Sequence, residues 1–291
     1  MAASAVRKTD SGKWGRVYHT PDGDFPSVTA ILEVINKPSL MRWAANEERK
    51  MVMRVSGELY GSLPEGPKLG TPSWIMALEA RLGESRAHEK LTQKAKEIGS
   101  GVHEYIEYRI RKYLGIPGGE EPQLPEGGAH AYQAFQTWAK TVSFKPRLIE
   151  QVVYSVTHRY AGTLDILANV TVPAGIYTTR PHPMMEEYRL KQHRCYNTGL
   201  PDGGSVMMIG DWKTSKAIYW ESYLQVAAYA MAIVEMGHAQ QPLHAVIVRL
   251  PKLATDPNFE TCFIHADDMP DLFETFLSAK KLWYKRTEAE A

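Results

Sequence analysis

Only two cysteines, Cys195 and Cys262, occur in the 291 residues. A disulfide-built scaffold is therefore excluded, and so is a four-cysteine zinc or iron–sulfur centre within one chain. A single bridge between the two is allowed, but nothing forces it. No stretch approaches the ~20 apolar residues of a membrane span, and residues 1–12 lack the apolar run of a secretory leader, so a cytoplasmic protein is expected. Charge of one sign is also missing: 34 basic against 33 acidic side chains leave +1. A nucleic-acid surface would have to come from local clustering. No G-x-x-x-x-G-K-[ST] loop is present to cradle a nucleotide, and no G-x-S-x-G elbow to present a serine. What is present is ordinary for a folded chain, with 44% hydrophobic and 23% charged residues. That length buries a sizeable core unaided.

Strand-like residues 14–19, the turn Pro21-Asp22-Gly23-Asp24 and Pro26-Ser27 open the chain. Ser27 is placed to cap a short helix carrying Val28, Ala30, Ile31 and Leu32. A second helix is expected over 39–53, and a Gly/Pro-rich loop over 56–72. From 84 to 114 the pattern is helical, with Ile98, Val102, Ile106 and Ile110 on one face. Gly99 and Gly101 make this either two helices or one bent helix. Another helix is expected around Ala131, Phe135, Trp138 and Val142. Two β-rich stretches, 148–156 and 162–170, form an expected hairpin, and 207–213 a third strand. A helix over 219–236, strands over 244–250 and 259–265, and a last helix capped by Asp268 complete the chain. That order predicts an α/β fold, a mixed central sheet flanked by helices.

Ile209-Gly210-Asp211-Trp212-Lys213 carries the strongest chemical signal. Asp211 and Lys213 are two apart on a strand and project to one face. A carboxylate that holds a hard cation beside an ammonium that orients water suits phosphodiester hydrolysis; an isolated Asp-x-Lys is more often a surface ion pair. Asp165, within Gly162-Thr163-Leu164-Asp165-Ile166-Leu167, is costly to bury unless paired or holding a cation. Glu150 on the preceding strand is either a third carboxylate of that site or an exposed strand residue. Gln225 and Tyr229 share one helix face, as a polar stripe or as a wall of the site. In Gly99-Ser100-Gly101-Val102-His103, the small residues allow close approach of a backbone or ligand. His103, beside the apolar face, is a core histidine or a metal ligand.

Taken in order, His103, Glu150, Asp165, Asp211-x-Lys213 and Gln225-x-x-x-Tyr229 resemble the PD-(D/E)xK nuclease superfamily, in its RecB-like, Cas4-like exonuclease branch. Pro26-Ser27-Val28-Thr29-Ala30-Ile31-Leu32 and Met41-Arg42-Trp43-Ala44-Ala45 are similar to the N-terminal region of its phage and mitochondrial genome maintenance members. The resemblance implies a restriction-endonuclease-like fold and a single domain over 1–291, with a mainly helical region at 17–145 and a sheet core at 146–291. It implies that His103, Asp165, Asp211 and the main-chain carbonyl of Trp212 bind one or two Mg²⁺ or Mn²⁺ ions. Asp165, Asp211, Lys213 and Glu150 would carry the catalysis, Lys213 by positioning water. Gln225, Tyr229, Ser100, Arg42 and Trp43 would contact DNA.

The implied activity is that of a Mg²⁺-dependent deoxyribonuclease, an exonuclease on single-stranded or end-bearing DNA in replication, recombination or repair. Protein partners from those processes are possible, and the setting is a bacterial or phage-infected cell. The alternatives are a structure-specific endonuclease and a non-catalytic nucleic-acid-binding module with the same fold. The chain departs from the iron–sulfur members of the branch, since it lacks their four cysteines. It also departs through a long insertion at 172–205. There Arg180, Arg189, Lys191, His193 and Arg194 alternate with Tyr177, Tyr188 and Tyr196, a composition able to grip a single strand by stacking and phosphate contact, or to form a solvated loop or partner-binding flap.

Overall fold

The computed structural model describes residues 7–10, 15–35, 37–61, 69–83, 86–117, 119–171, 205–240, 243–256 and 259–289. Except for Ser205, the 172–205 insertion lies outside them. Contacts divide the chain into two units, Met1–Ile35 with Gly101–Ala291, and Asn36–Ser100.

The larger unit is mixed α/β. Strands β1 (Arg7–Asp10), β2 (Arg16–Thr20) and β3 (Gly23–Pro26) form a small antiparallel sheet. Ser27 then caps α1 (Val28–Leu32), as its sequence position predicts: its hydroxyl accepts the Ala30 N–H at 3.0 Å. After α4 (Ala87–Tyr113) and α5 (Ala129–Ala139), a second sheet has the order β4–β5–β6–β7–β8. Its strands are β4 (Ser143–Ser155), β5 (Tyr160–Thr171), β6 (Ser205–Lys213), β7 (His244–Arg249) and β8 (Glu260–Ile264). Among the described strands of this sheet, only β6 and β7 pair in parallel. The helix α6 (Glu221–Glu235) makes the crossover between them that a parallel pair requires. The final helix α7 spans Met269–Ala289.

One core cluster joins α1, α6 and α7 to the sheet through Ile31, Leu164, Leu167, Ile209, Leu224, Ile233 and Phe276, all fully buried. A separate aromatic group holds Phe135 and Trp138 of α5 against Trp212, with ring centroids 5.4 and 4.9 Å from it. These contacts stack helices on a mixed sheet, the arrangement the order of elements predicts.

The unit Asn36–Ser100 contains α2 (Pro38–Gly61), α3 (Pro72–Leu82) and the first half of α4. Two expectations fail in or beside it. The second helix does not stop near 53 but runs to Gly61, and 56–72 is not one loop, because Pro72 opens α3. The reason for the second is local: Thr71 caps α3 by accepting from Trp74 N–H at 3.3 Å, and proline is well tolerated at the first helical position. Of the two expectations for 84–114, the structure shows a single helix, with Gly99 and Gly101 inside it. Within this unit, Glu48 of α2 accepts from His88 of α4 through both Nδ1 (2.7 Å) and the backbone N–H (3.1 Å). No helix among the described residues is long and apolar enough to cross a membrane.

Candidate metal centre

Sheet register brings three carboxylates into one row. Ile149 pairs with Ile166 and Gln151 with Leu164, so Glu150 of β4 faces Asp165 of β5. Ile166 in turn pairs with Gly210, so the next position sets Asp165 opposite Asp211 of β6. The β5–β6 ladder ends at that point. From there β5 continues with β4 and β6 continues with β7, and the two strands fork. Trp212 N–H, just beyond the last ladder pair, donates instead to Asp165 Oδ2 at 2.6 Å. Gly210 makes the approach possible, since a Cβ there would lie 2.6 Å from Ile166 Cγ2.

His103 comes to this row from α4, one position past the buried Val102. Its Nδ1 lies 3.3 Å from Asp165 Oδ1. Ligand atoms of His103, Glu150 and Asp165 all fall within 4.8 Å of one another. The backbone of Glu150 is unusual: its φ is +47°, although it is neither glycine nor asparagine and lies within a strand. Arg111, two turns beyond His103 on α4, donates from Nη2 to Ile149 O at 3.2 Å and from Nε to Glu107 at 2.8 Å.

A second group adjoins the first. Lys213 Nζ donates to Asp211 Oδ1 at 2.9 Å and to Gln225 Oε1 at 3.1 Å. Asp211 Oδ2 is also 2.7 Å from Nζ but off the hydrogen-bonding direction, so that contact is ionic only. Gln225 Nε2 donates to Asp211 Oδ1 (3.3 Å) and Tyr229 Oη (3.1 Å). Gly162 seats the tyrosine: a Cβ there would meet Tyr229 Cε1 at 2.3 Å. Tyr160 Oη donates to Ala228 O at 2.8 Å, and Glu235 accepts from Ser155 and Thr157 of the β4–β5 turn. These bonds fix α6, and hence Gln225 and Tyr229, over the sheet.

Burial favours the neutral form of His103, but the charges of Asp165 and then Glu150 outweigh it and raise the imidazole to about 9. Burial, reinforced by Asp165, pushes Glu150 up to about 8. Burial also raises Asp211, to about 6, against the pull of Lys213. Asp165 is lowered: burial opposes its charge, but His103, Lys213 and Trp212 N–H hold it ionised. Burial first, then Tyr18 and the two aspartates, lift Tyr229 well above its ordinary value.

Two carboxylates and an imidazole form a donor set for Mg²⁺ or Mn²⁺. With bonds of ~2.1 Å, octahedral donors lie about 3 Å apart as neighbours and about 4.2 Å apart across the ion. The spread within 4.8 Å in His103, Glu150 and Asp165 needs only a slight closing to match. Of the residues implied as ligands by resemblance, His103 and Asp165 gather with Glu150. The carboxylate of Asp211 is engaged by Lys213 and Gln225 instead. Trp212 donates its backbone N–H to Asp165. Arg42, Trp43 and Ser100 belong to the Asn36–Ser100 unit. There Arg42 and Trp43 line one pocket with Asn46, Arg49, Lys50 and Met53.

Arg111 and Glu107 were not singled out from the sequence. Their signal was the spacing His103, Glu107, Arg111, which puts all three on one stripe of α4. Tyr18, whose hydroxyl is 3.0 Å from Thr163 Oγ1, gave no signal at all. No protein-family model matches the chain, and no curated protein matches it.

Proposed function

We propose that this chain is a divalent-metal-dependent nuclease with a restriction-endonuclease-like core, of the RecB-like PD-(D/E)xK kind, acting on DNA that is single-stranded or has free ends. One observation carries the reading: Glu150, Asp165 and Asp211 align across three adjacent strands where β5 and β6 part, with His103 on one side and Lys213 on the other. The mixed sheet and the α6 crossover between β6 and β7 support the fold assignment.

His103, Glu150 and Asp165 would hold the cation, and Asp211 lies opposite Asp165 on the next strand, bonded to Lys213. A bound Mg²⁺ or Mn²⁺ supplies charge neutralisation at a scissile phosphate. Lys213 is the only cation bonded to Asp211 among the described residues, and its ammonium would orient an attacking water or meet developing negative charge. Gln225 holds Lys213 by its carbonyl and Asp211 by its amide, which fixes both at once. Burial excludes solvent from Asp165 and Asp211, so these contacts act at low dielectric.

The test is a time course on end-labelled single- and double-stranded DNA with Mg²⁺, with Mn²⁺ and with chelator. Metal-dependent products that vanish in Asp165→Asn support the reading. The absence of any product, or cleavage unchanged in Asp165→Asn, overturns it. Closed circular single strands in the same assay separate the two modes, because an exonuclease leaves them intact and an endonuclease does not.

A further inference from the structure

Glu150 is held in a backbone conformation it would not choose. A left-handed φ brings a non-glycine Cβ against the following carbonyl oxygen, and a residue within a strand has extended alternatives. Among the described residues only Glu150 and Arg159 combine a side chain with positive φ, and Arg159 lies in a turn. Strained backbone of this kind persists where surrounding structure over-determines it. The register shift between Pro146 and Leu148, three residues upstream, already loosens β4. As an edge strand, β4 can distort without breaking a ladder on both sides. What grips it at the distortion is Arg111. Its guanidinium donates to the carbonyl of Ile149, the peptide that leads into Glu150, and its other arm is fixed by Glu107. His103, Glu107 and Arg111 recur every four residues, so one helix delivers both a candidate ligand and the brace for another.

We infer that Arg111 is a positioning residue for the metal centre: by holding the Ile149 carbonyl it keeps Glu150 left-handed, with its carboxylate beside His103 and Asp165. This rests on the metal centre in the proposed function, though not on DNA as the substrate. Without the brace, Glu150 is free to leave the left-handed conformation, and the direction of its carboxylate relative to His103 and Asp165 changes with it.

The experiment is a double-mutant cycle read by Mn²⁺ calorimetry on the full chain: parent, Arg111→Met, Glu150→Ala and the pair, with circular dichroism to confirm folding. Arg111→Met is expected to weaken Mn²⁺ binding roughly tenfold or more, the scale of outer-sphere supports of metal ligands. In the Glu150→Ala background the same change should have no further effect. Arg111→Lys, which keeps a cation but loses the two-armed geometry, should remain weak. Equal, additive losses in both backgrounds overturn the inference and leave the metal centre standing. So does a crystal structure of Arg111→Met with Glu150 still at positive φ. A parent that binds no Mn²⁺ overturns the metal centre itself, and the inference with it.

Discussion

The two halves of the candidate site are built on opposite plans. On the β4–β5 side, Glu150, Asp165 and His103 crowd together, and the imidazole and Glu150 are driven to retain protons. On the β6–α6 side, Asp211 Oδ1, Lys213 and Gln225 close a ring of hydrogen bonds to which Tyr229 is attached, and Asp211 Oδ2 has only an ionic contact with Lys213. In the first half like charges meet with one imidazole between them, whereas in the second an ammonium and an amide are bonded to a single carboxylate. Under the proposed function, a site divided in this way would separate binding from orientation, with the ion on one side and a prearranged cationic group on the other.

The sharpest way to break this contrast is at Asp165, which serves both halves. Asp165→Asn keeps an acceptor for Trp212 N–H, so the fold should survive, while metal-dependent cleavage should fall by roughly a thousandfold or more. Retained Mn²⁺ binding in calorimetry would show that the first half does not depend on this carboxylate.

Lys213→Met probes the second half alone. Cleavage should fall by about a hundredfold to a thousandfold with Mn²⁺ affinity little changed. Removing one partner of a buried ion pair typically costs on the order of 3 kcal/mol, but Asp211, already raised to about 6, takes up a proton and limits the loss. A large drop in Mn²⁺ affinity would mean that the halves are not separable.

Acid should disable the first half before the second. Both His103, raised to about 9, and Glu150, raised to about 8, must release protons when a cation binds. Affinity therefore climbs with pH below about 8, by as much as about a hundredfold per pH unit, and levels off above about 9. Calorimetry in buffers of different ionisation enthalpy counts the protons released, and a value of zero at pH 7 would contradict the cluster.

Gly162→Ala gives the mildest perturbation. Its methyl would displace the Tyr229 ring and disturb Gln225, at a cost of about 1–3 kcal/mol in thermal or urea unfolding. Activity should drop several-fold without loss of Mn²⁺ binding, and an unchanged unfolding midpoint would rule out the close contact.

Legibility in the sequence followed the range of the interactions. Strands β4 to β8 and helices α6 and α7 could be placed because hydrophobic period and turn residues are local signals. The Asp211-x-Lys213 pair could be placed because strand alternation alone puts both on one face. Glu150 could be read only as a carboxylate near Asp165 by hairpin pairing. Its left-handed backbone depends on Arg111, 39 positions earlier on another element, and no local pattern announces it. Residues 56–72 were misread because glycine and proline were counted as loop formers. Pro72 instead begins a helix behind a threonine cap, and the same residue types punctuate both. Strand β1 escaped notice for a related reason, since Arg-Lys-Thr-Asp has no apolar alternation to mark it.

Trp212 occupies the boundary between the two halves. Its side chain turns away from Asp211 and Lys213 into the rings of Phe135 and Trp138, while its peptide nitrogen is tied to Asp165. An ion drawing on Asp165 would therefore tug on the backbone of an indole sealed among aromatic rings. A change in tryptophan emission on adding Mn²⁺ without substrate is the expected sign, and although the chain has seven tryptophans, that change should be lost in Trp212→Phe.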